Sequence, residues 1–219
     1  MTLTEKFLQC CECFSHKTAI VDEGGAISYG ELLKTTAGLA RTFQGLDQPR
    51  VGMCLPNCKE FVASYFSLLF NGITPVIVNP LLSQAQIAHI VKDASIDTII
   101  TVSFFKDLLG ELVKECIYLD QAPLPSTDPS LVLPTLCMGK EEDVAVIFYT
   151  SGTSANPKGV LLTHRNILSN LEGYLHDFDF NDRDVILGVL PLFHAFAFTA
   201  TLAMPLLFGA SVVYISRFS

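Results

Sequence analysis

Residues 144–159 read Val-Ala-Val-Ile-Phe-Tyr-Thr-Ser-Gly-Thr-Ser-Ala-Asn-Pro-Lys-Gly. The first six form an unbroken apolar run, which is typical of a strand buried on both faces of a sheet. The hydroxyl residues, glycines and Lys158 that follow come just past the carboxyl end of this strand, where open α/β sheets bind their ligands. Backbone N–H groups of such a loop converge on an anion, and the Lys158 ammonium adds positive charge. The stretch therefore predicts a strand followed by a polyphosphate-binding loop.

The loop differs from a Walker phosphate-binding loop. In that motif a glycine directly precedes the lysine and Ser or Thr follows it, whereas here Pro157 precedes Lys158 and Gly159 follows. Pro157 fixes its own φ and disfavours helix at Asn156, so the lysine is presented from an extended segment. A plain solvated turn is the alternative, because Ser, Thr, Gly, Asn and Pro are also common turn residues.

In their order, residues 150–159 resemble the signature loop of the adenylate-forming superfamily, which includes acyl-CoA synthetases, luciferases and the adenylation domains of peptide synthetases. The family pattern is Thr-Ser-Gly-Thr-Thr-Gly-x-Pro-Lys-Gly, from which Ser154 and Ala155 depart. Ser154 keeps a hydroxyl, whereas Ala155 lacks the freedom of glycine to take a positive φ. Residues 162–166 (Leu-Thr-His-Arg-Asn) and 190–194 (Leu-Pro-Leu-Phe-His) are similar to the next two family motifs, and a weaker similarity covers the whole chain.

This resemblance implies a reaction in two halves. A carboxylate attacks the α-phosphate of ATP to give an acyl-adenylate and pyrophosphate, and a thiol, CoA in the leading interpretation, then takes the acyl group. A long-chain fatty acid is the leading substrate, and Mg²⁺ accompanies the ATP. The resemblance assigns the β- and γ-phosphates to Thr150, Ser151, Gly152, Thr153, Ser154 and Lys158. It makes Lys158 and His194 the candidate catalytic residues, with His194 bordering the acyl pocket.

Two of these assignments have plain structural alternatives. His194 is nearly as well explained as a core histidine that bonds a backbone carbonyl. The apolar run at 193–198 would line a fatty-acyl tunnel, or it is ordinary core packing. We interpret His164 as part of a helix start, with Thr163 as its cap.

Other functions remain open at this point. In one alternative the protein is still an adenylating enzyme, but its acid is an aryl or amino acid, or its acceptor is a carrier-protein thiol instead of CoA. A non-catalytic nucleotide-binding or interaction module is the alternative from a different class, and Ala155 is the sequence hint for it. A membrane-associated domain is a third, because residues 185–216 contain no Asp, Glu, Lys or Arg. Pro and Gly divide that stretch into short pieces, however, so we expect no transmembrane span.

Composition narrows the class of partner and the compartment. The 14 basic and 22 acidic residues give a net charge of −8 without a basic cluster, which argues against nucleic acid as a partner. The seven cysteines are irregularly spaced and complete no four-ligand zinc pattern, so we predict buried free thiols and no metal site built by the protein. We find no signal peptide and expect a cytoplasmic protein, at most peripheral to a membrane.

The order of elements predicts an α/β fold with a mainly parallel sheet flanked by helices. Predicted strands lie at 18–21, 26–28, 50–55, 74–78, 97–102, 115–119, 143–149, 159–162, 184–190 and 210–215. Predicted helices lie at 3–14, after Ser28 to Phe43, after Asn57 to Phe70, from Ser83 to Ala94, at 104–112, from His164 and at 194–208. Helix starts are read from capping pairs, Ser28 with Glu31, Asn57 with Glu60 and Ser83 with Gln86.

Four prolines between Gln121 and Lys140 interrupt this alternation. We therefore predict a first α/β segment at 1–120, a proline-rich linker or surface loop at 121–141, and a phosphate-loop segment at 142–219. Family members are much longer, with a Tyr-Gly-x-Thr-Glu motif, a ribose-binding Asp, a hinge and a C-terminal domain, none of which follows Gly159 here. We expect an N-terminal fragment that lacks the C-terminal domain, is inactive alone, and self-associates through exposed apolar surface.

Overall fold

A computed structural model of the protein describes residues 1–121, 136–150 and 156–215. The helices are α1 Leu3–Cys13, α2 Tyr29–Phe43, α3 Lys59–Phe70, α4 Gln84–Asp93, α5 Lys106–Leu109, α6 His164–Asp177, α7 Ala195–Phe198 and α8 Met204–Leu207. The strands are β1 Thr18–Asp22, β2 Gly25–Ser28, β3 Arg50–Cys54, β4 Thr74–Ile77, β5 Thr98–Thr101, β6 Glu115–Tyr118, β7 Val144–Thr150, β8 Lys158–Thr163, β9 Val185–Gly188 and β10 Ser211–Tyr214. The predicted α/β class is confirmed.

The strands form two sheets. The larger sheet has the order β6-β5-β3-β4-β7-β8, and its pairs are parallel except for β7 with β8. The smaller sheet has the order β2-β1-β10-β9, parallel except for the β1–β2 hairpin. We expected one mainly parallel sheet, and the structure has two mixed, mostly parallel sheets. The local sequence pattern predicts where strands lie in the chain but not which sheet each strand joins. Both the segment before residue 121 and the segment after residue 141 contribute strands to each of them.

Helix α3 packs between the two sheets. Ten of its twelve residues are buried, and it contacts β1 of the smaller sheet as well as β3 and β4 of the larger. A helix that is apolar on all sides has to be buried on all sides, which explains this central position. Phe7 of α1 stacks on Phe66 of α3 with ring centroids 3.8 Å apart, so the N-terminal helix closes this core.

Three predicted helix starts have the expected caps. Ser28, Ser83 and Thr163 each accept a hydrogen bond from a backbone N–H three residues later, and that residue's side chain bonds back. These reciprocal bonds satisfy N–H groups that have no partner within the helix. The assignment of Thr163 as the cap of α6 is therefore confirmed.

The predicted cap of α3 at Asn57 is wrong. Cys58 takes the cap position and makes no side-chain cap bond. Asp22 of β1 instead accepts the Lys59 backbone N–H at 2.8 Å and the Lys59 ammonium at 2.8 Å. Asp22, a residue of the smaller sheet, thus accepts the N–H at the start of α3 and takes the capping role that the local pattern assigned to Asn57.

The predicted helix at 194–208 is present in three joined pieces, α7, a π-helical turn Thr199–Ala203 and α8. Pro205 has no N–H to donate to the carbonyl of Thr201 four residues earlier. That carbonyl accepts the hydroxyl of Tyr214 at 2.9 Å. Within the described residues, no helix is both long and apolar enough to cross a bilayer.

Most of the predicted linker, residues 122–135, lies outside the described residues.

Candidate functional site

The predicted phosphate loop joins β7 to β8. These strands are antiparallel, with Tyr149 opposite Gly159 and Thr150 opposite Lys158. Thr150 and Lys158 are both exposed. The predicted phosphate ligands Ser151, Gly152, Thr153 and Ser154 lie outside the described residues, so of that set the structure places Thr150 and Lys158. It places Thr150 and Lys158 opposite each other in the strand pair, where the loop begins and ends.

This hairpin lies at the edge of the larger sheet where its parallel strands have their carboxyl ends. β7 runs parallel to β4, with Val76 opposite Ile147, so the carboxyl end of β7 meets those of β3, β4, β5 and β6. Open α/β sheets bind ligands outside these carboxyl ends. An exposed ammonium and hydroxyl at this edge are suited to an anion such as phosphate.

Tyr149 fixes the hairpin to the neighbouring helix. Its hydroxyl donates to the carboxylate of Asp93, the last residue of α4, at 2.6 Å. Its ring also covers Gly159, where a Cβ atom would come within 3.3 Å of the ring. Gly159 therefore permits the close approach of the two strands beside Lys158. Burial and the bond to Asp93 raise the pKa of Tyr149, so the hydroxyl remains a donor at neutral pH.

His194 lies on the second candidate segment. It is the exposed residue before α7, and its backbone N–H donates to the carbonyl of Pro191 at 3.0 Å. This position contradicts a buried core histidine. In the part of the chain that the structure describes, no hydrogen bond or ion pair joins His194 to Lys158, so the two candidates stand on separate segments.

The apolar run after His194 divides between two roles. Ala197 and Phe198 are buried, and Phe198 packs edge-on against Tyr65 and Phe148 in the core. Phe196 is exposed and lines a cavity of about 380 Å³ between α7 and α6. Core packing therefore explains part of the run, while Phe196 is free to contact an apolar ligand.

Asn57 holds the segment that carries His194, a role the sequence pattern did not indicate. Its amide nitrogen donates to the carbonyl of Leu190 at 2.9 Å and, at a longer 3.4 Å, to that of Gly188. Its amide oxygen accepts the N–H of Leu192 at 2.8 Å. No local sequence signal could have found these bonds, because the partners lie more than 130 positions away.

His164 joins α6 to the N-terminal helix. The side chain is 3% exposed, and its Nδ1 accepts the backbone N–H of Leu3 at 3.2 Å. That N–H is in the first turn of α1 and has no partner within the helix. Burial lowers the pKa of His164 despite the nearby carboxylates of Asp143 and Glu5, so the ring is neutral here. His164 is thus structural, in agreement with its interpretation as part of a helix start.

All seven cysteines are free thiols. Burial raises the pKa of Cys54 to about 12, and it also raises that of Cys11 and Cys58. Across residues 1–121, 136–150 and 156–215, no group of three or more His, Cys, Asp or Glu is arranged to hold a metal ion. These residues therefore offer no preformed carboxylate cage for Mg²⁺, which in nucleotide sites is held largely by phosphates and water.

Solved structures define the class of this fold. The N-terminal domain of FACL13 from Mycobacterium tuberculosis superposes with a TM-score of 0.87 at 22% identity, over 100% of this chain and 58% of that one. o-Succinylbenzoate CoA synthetase (MenE) from Bacillus subtilis, solved with an acyl-adenylate intermediate, gives 0.85 at 23% identity, over 98% and 56%. The fold is thus that of the N-terminal domain of acyl-CoA synthetases.

Sequence comparison then gives the family. Residues 7–219 match the model of the AMP-binding enzyme family, and the chain belongs to that family. It is 28% identical to a long-chain-fatty-acid–CoA ligase of Bacillus subtilis (strain 168), over 94% of this chain and 44% of that protein. It is 33% identical to a 4-coumarate–CoA ligase of Pinus taeda, over 85% and 37%. The chain thus spans less than half the length of these curated relatives.

Proposed function

We propose that this protein is an acid–thiol ligase that activates a carboxylic acid with ATP and transfers the acyl group to CoA. A carboxylate oxygen bonds to the α-phosphorus of ATP as the bond to the β-phosphate oxygen breaks, giving acyl-adenylate and pyrophosphate. The CoA sulfur, as thiolate, then bonds to the acyl carbon as the bond to the adenylate oxygen breaks, releasing AMP. The observation that carries this proposal is the family match over residues 7–219, with Lys158 at the edge of the larger sheet where its parallel strands have their carboxyl ends.

The chain's own contribution to the first half-reaction is positioning and charge. A carboxylate is already a competent nucleophile, so no side chain has to serve as one. Lys158 and the hydroxyl of Thr150, opposite each other across the β7–β8 pair, would hold the departing pyrophosphate. Ser151, Gly152, Thr153 and Ser154 would add N–H and hydroxyl donors, as the resemblance implies. Mg²⁺, when bound with ATP, would neutralise part of the phosphate charge.

A long-chain fatty acid is the acid that we propose first. Phe196 and the partly apolar cavity beside it suit a hydrocarbon chain, and His194 comes two residues before Phe196 in the chain. The relatives named for fatty acid, for 4-coumarate and for malonate show that this family accepts different acids. An aryl acid is therefore the principal competitor, and a carrier-protein thiol is the alternative acceptor.

Carboxylate-dependent ATP–pyrophosphate exchange by the full-length protein tests the proposal. The assay is run across fatty, aryl and amino acids, with a no-acid control and a measurement of ATP binding. Exchange with one class only establishes adenylation and identifies the acid. Product thioesters formed with CoA but not with a carrier protein would identify the acceptor. Absence of exchange with every acid, with ATP still bound, would overturn the proposal in favour of a non-catalytic nucleotide-binding module.

We further propose that residues 1–219 alone give little turnover, because the curated relatives carry more than half of their length outside the matched region. Exposed apolar side chains on β8 and β9, among them Leu161, Val185 and Leu187, support self-association of this part of the protein. Seven free thiols support a reducing compartment, and we propose the cytoplasm.

A further inference from the structure

Asn57 is a buried polar residue between the two sheets. It follows the carboxyl end of β3 and is 8% exposed. Because Asp22 takes the N–H of Lys59, the Asn57 amide is not used to cap α3. The three hydrogen bonds of its amide instead cross to the segment that leaves the carboxyl end of β9.

The amide holds both sides of one turn. Leu190 lies before Pro191 and offers a carbonyl, and Leu192 lies after it and offers an N–H; Asn57 bonds both, at 2.9 Å and 2.8 Å. The Leu192 side chain is fully buried, which fixes the same turn from its apolar side. Buried backbone groups require partners, so losing the Asn57 amide leaves the buried N–H of Leu192 unsatisfied.

Only an amide of this length meets both requirements. Asn carries a donor and an acceptor on the same side chain, whereas an ionised Asp can only accept and Ala can do neither. Asn57 could therefore be replaced by Asp with the bond from Leu192 retained and the bond to Leu190 lost. Asn57→Asp therefore tests the donor bond to Leu190 separately from the acceptor bond from Leu192.

The turn determines where His194 stands. Its backbone N–H bonds to the carbonyl of Pro191 at 3.0 Å, and it is followed directly by α7. Among the described residues, the contact that the structure shows for the His194 side chain is with the tilted ring of Phe193, and the two ring centroids are 4.7 Å apart. The position of this imidazole thus depends on its backbone.

We propose that Asn57 is a positioning residue for the acid-binding part of the site, acting through the Leu190–Leu192 turn on His194. The proposal rests on the proposed function, because it gives His194 its role beside the acid. It also has a purely structural half, the clamping of the turn, which is measurable without any substrate.

Asn57→Ala in the full-length protein tests the functional half. We expect the KM for the acid to rise about tenfold or more, because misplacing a contacting group by about 1 Å is costly, while the KM for ATP changes less than about twofold. Asn71→Ala is the matched control. Asn71 follows the other end of α3 and likewise donates two amide bonds to buried backbone carbonyls, those of Ala40 and Ser67. It should lower Tm similarly and leave both KM values unchanged.

A double-mutant cycle tests whether the effect passes through His194. If it does, Asn57→Ala adds little to the acid KM once His194→Ala is present. Effects that multiply fully in the double variant would overturn the proposal, as would an unchanged acid KM in Asn57→Ala. Should Asn57→Ala not fold, the isosteric Asn57→Asp takes its place, and a wild-type acid KM in that variant would overturn the need for the donor bonds.

Amide hydrogen exchange tests the clamp itself. In Asn57→Ala the N–H of Leu192 loses its acceptor, so residues 188–194 should exchange about tenfold faster or more, while Asn71→Ala leaves them unchanged. Equal exchange in both variants would overturn the clamp. If wild-type protein activates no acid, the proposed function fails, and faster exchange at 188–194 would still uphold the clamp alone.

Discussion

The hydroxyl of Tyr149 donates to the carboxylate of Asp93 at 2.6 Å. This bond connects the end of α4 to the end of β7, just before the predicted phosphate loop. The same ring lies over Gly159, the residue after Lys158. One side chain thereby fixes both strands of the hairpin. A short bond to a carboxylate is stronger than a neutral one.

Removing the Tyr149 hydroxyl should loosen this hairpin. For Tyr149→Phe we expect a loss of about 1 kcal/mol in the free energy of unfolding and a rise of a few fold in the KM for ATP. The phenyl ring keeps its contact with Gly159, so the change isolates the hydrogen bond. Asp93→Ala should match it, and Asp93→Asn, which still accepts a bond, should retain most of the wild-type behaviour. Urea unfolding measures the stability, and the kinetics of ATP–pyrophosphate exchange give the KM for ATP. Identical values in the wild type and the three variants would show that the Tyr149–Asp93 bond does not hold the hairpin in place.

Replacing Lys158 should impair adenylation without unfolding the protein. Lys158 is exposed, so its packing contribution is small. We expect Lys158→Ala to slow ATP–pyrophosphate exchange about 100-fold, the typical effect of removing one group that stabilises developing charge. Circular dichroism and Tm should remain those of wild type. The control is Lys106→Ala, which removes an exposed lysine of α5. Equal exchange rates in the two variants would show that Lys158 does not contribute to the site.

Acid should weaken the contact between α1 and α6 through His164. Its folded-state pKa lies below the ordinary histidine value of 6.5. The neutral ring therefore stabilises the fold above that pH, and this contribution is lost as pH falls through the lowered pKa. His164→Asn, whose carbonyl can replace Nδ1 as acceptor for Leu3, should flatten the dependence. Unfolding free energies between about pH 5 and pH 7.5 measure this. The exposed His16, changed to Asn, should leave the slope as in wild type.

Thiol labelling should separate the cysteines by burial. Cys13 and Cys137 are exposed and should react with a thiol reagent within minutes, as ordinary surface thiols do. Cys10, Cys11, Cys54 and Cys58 should react mainly after unfolding, because burial raises the pKa of their thiols and limits access. Cys116 is half-buried and should react at an intermediate rate. Mass spectrometry of the labelled native protein identifies the sites. Fast labelling of Cys11 or Cys58 would show that their surroundings open in solution.

Self-association of residues 1–219 should depend on β9. This edge strand exposes Val185 and Leu187 on one face, 65% and 58% exposed, beside an open row of backbone groups. Changing both residues to Lys should shift sedimentation toward the monomer with little change in Tm. Leu81→Lys is the control: it replaces an even more exposed apolar residue, in a loop, and should leave the sedimentation unchanged. A wild-type chain that sediments as a monomer at all concentrations would refute the idea.

The sequence predicted the elements of this fold better than their assembly. The predicted caps at Ser28, Ser83 and Thr163 marked correct helix starts, because each cap bonds a residue only three positions away. At Asn57 the same pattern misled, since Asp22 is brought to that helix end only by the tertiary fold. The division of strands into two sheets escaped prediction for the same reason.

The positions of the candidate site residues were predicted to a similar degree, and their roles stay predictions. The loop motif gave Lys158 and Thr150 their place at a strand end, and the later motif placed His194 before a helix. What supports them, the Tyr149–Asp93 bond and the Asn57 clamp, joins residues 56 and more than 130 positions apart. Such pairs leave no periodic or local signal in one sequence.

The pairing of β1 with β10 constrains how the chain is synthesised and folded. Ile20 lies opposite Val212, so β1 finds this partner only after all of the chain between the two strands has emerged from the ribosome. Until then the β1–β2 hairpin has an unprotected edge, a state in which strands mispair or recruit other chains. Closing so long a loop also makes this sheet intrinsically slow to form. The smaller sheet is therefore where a nascent chain of this protein would most depend on chaperone protection.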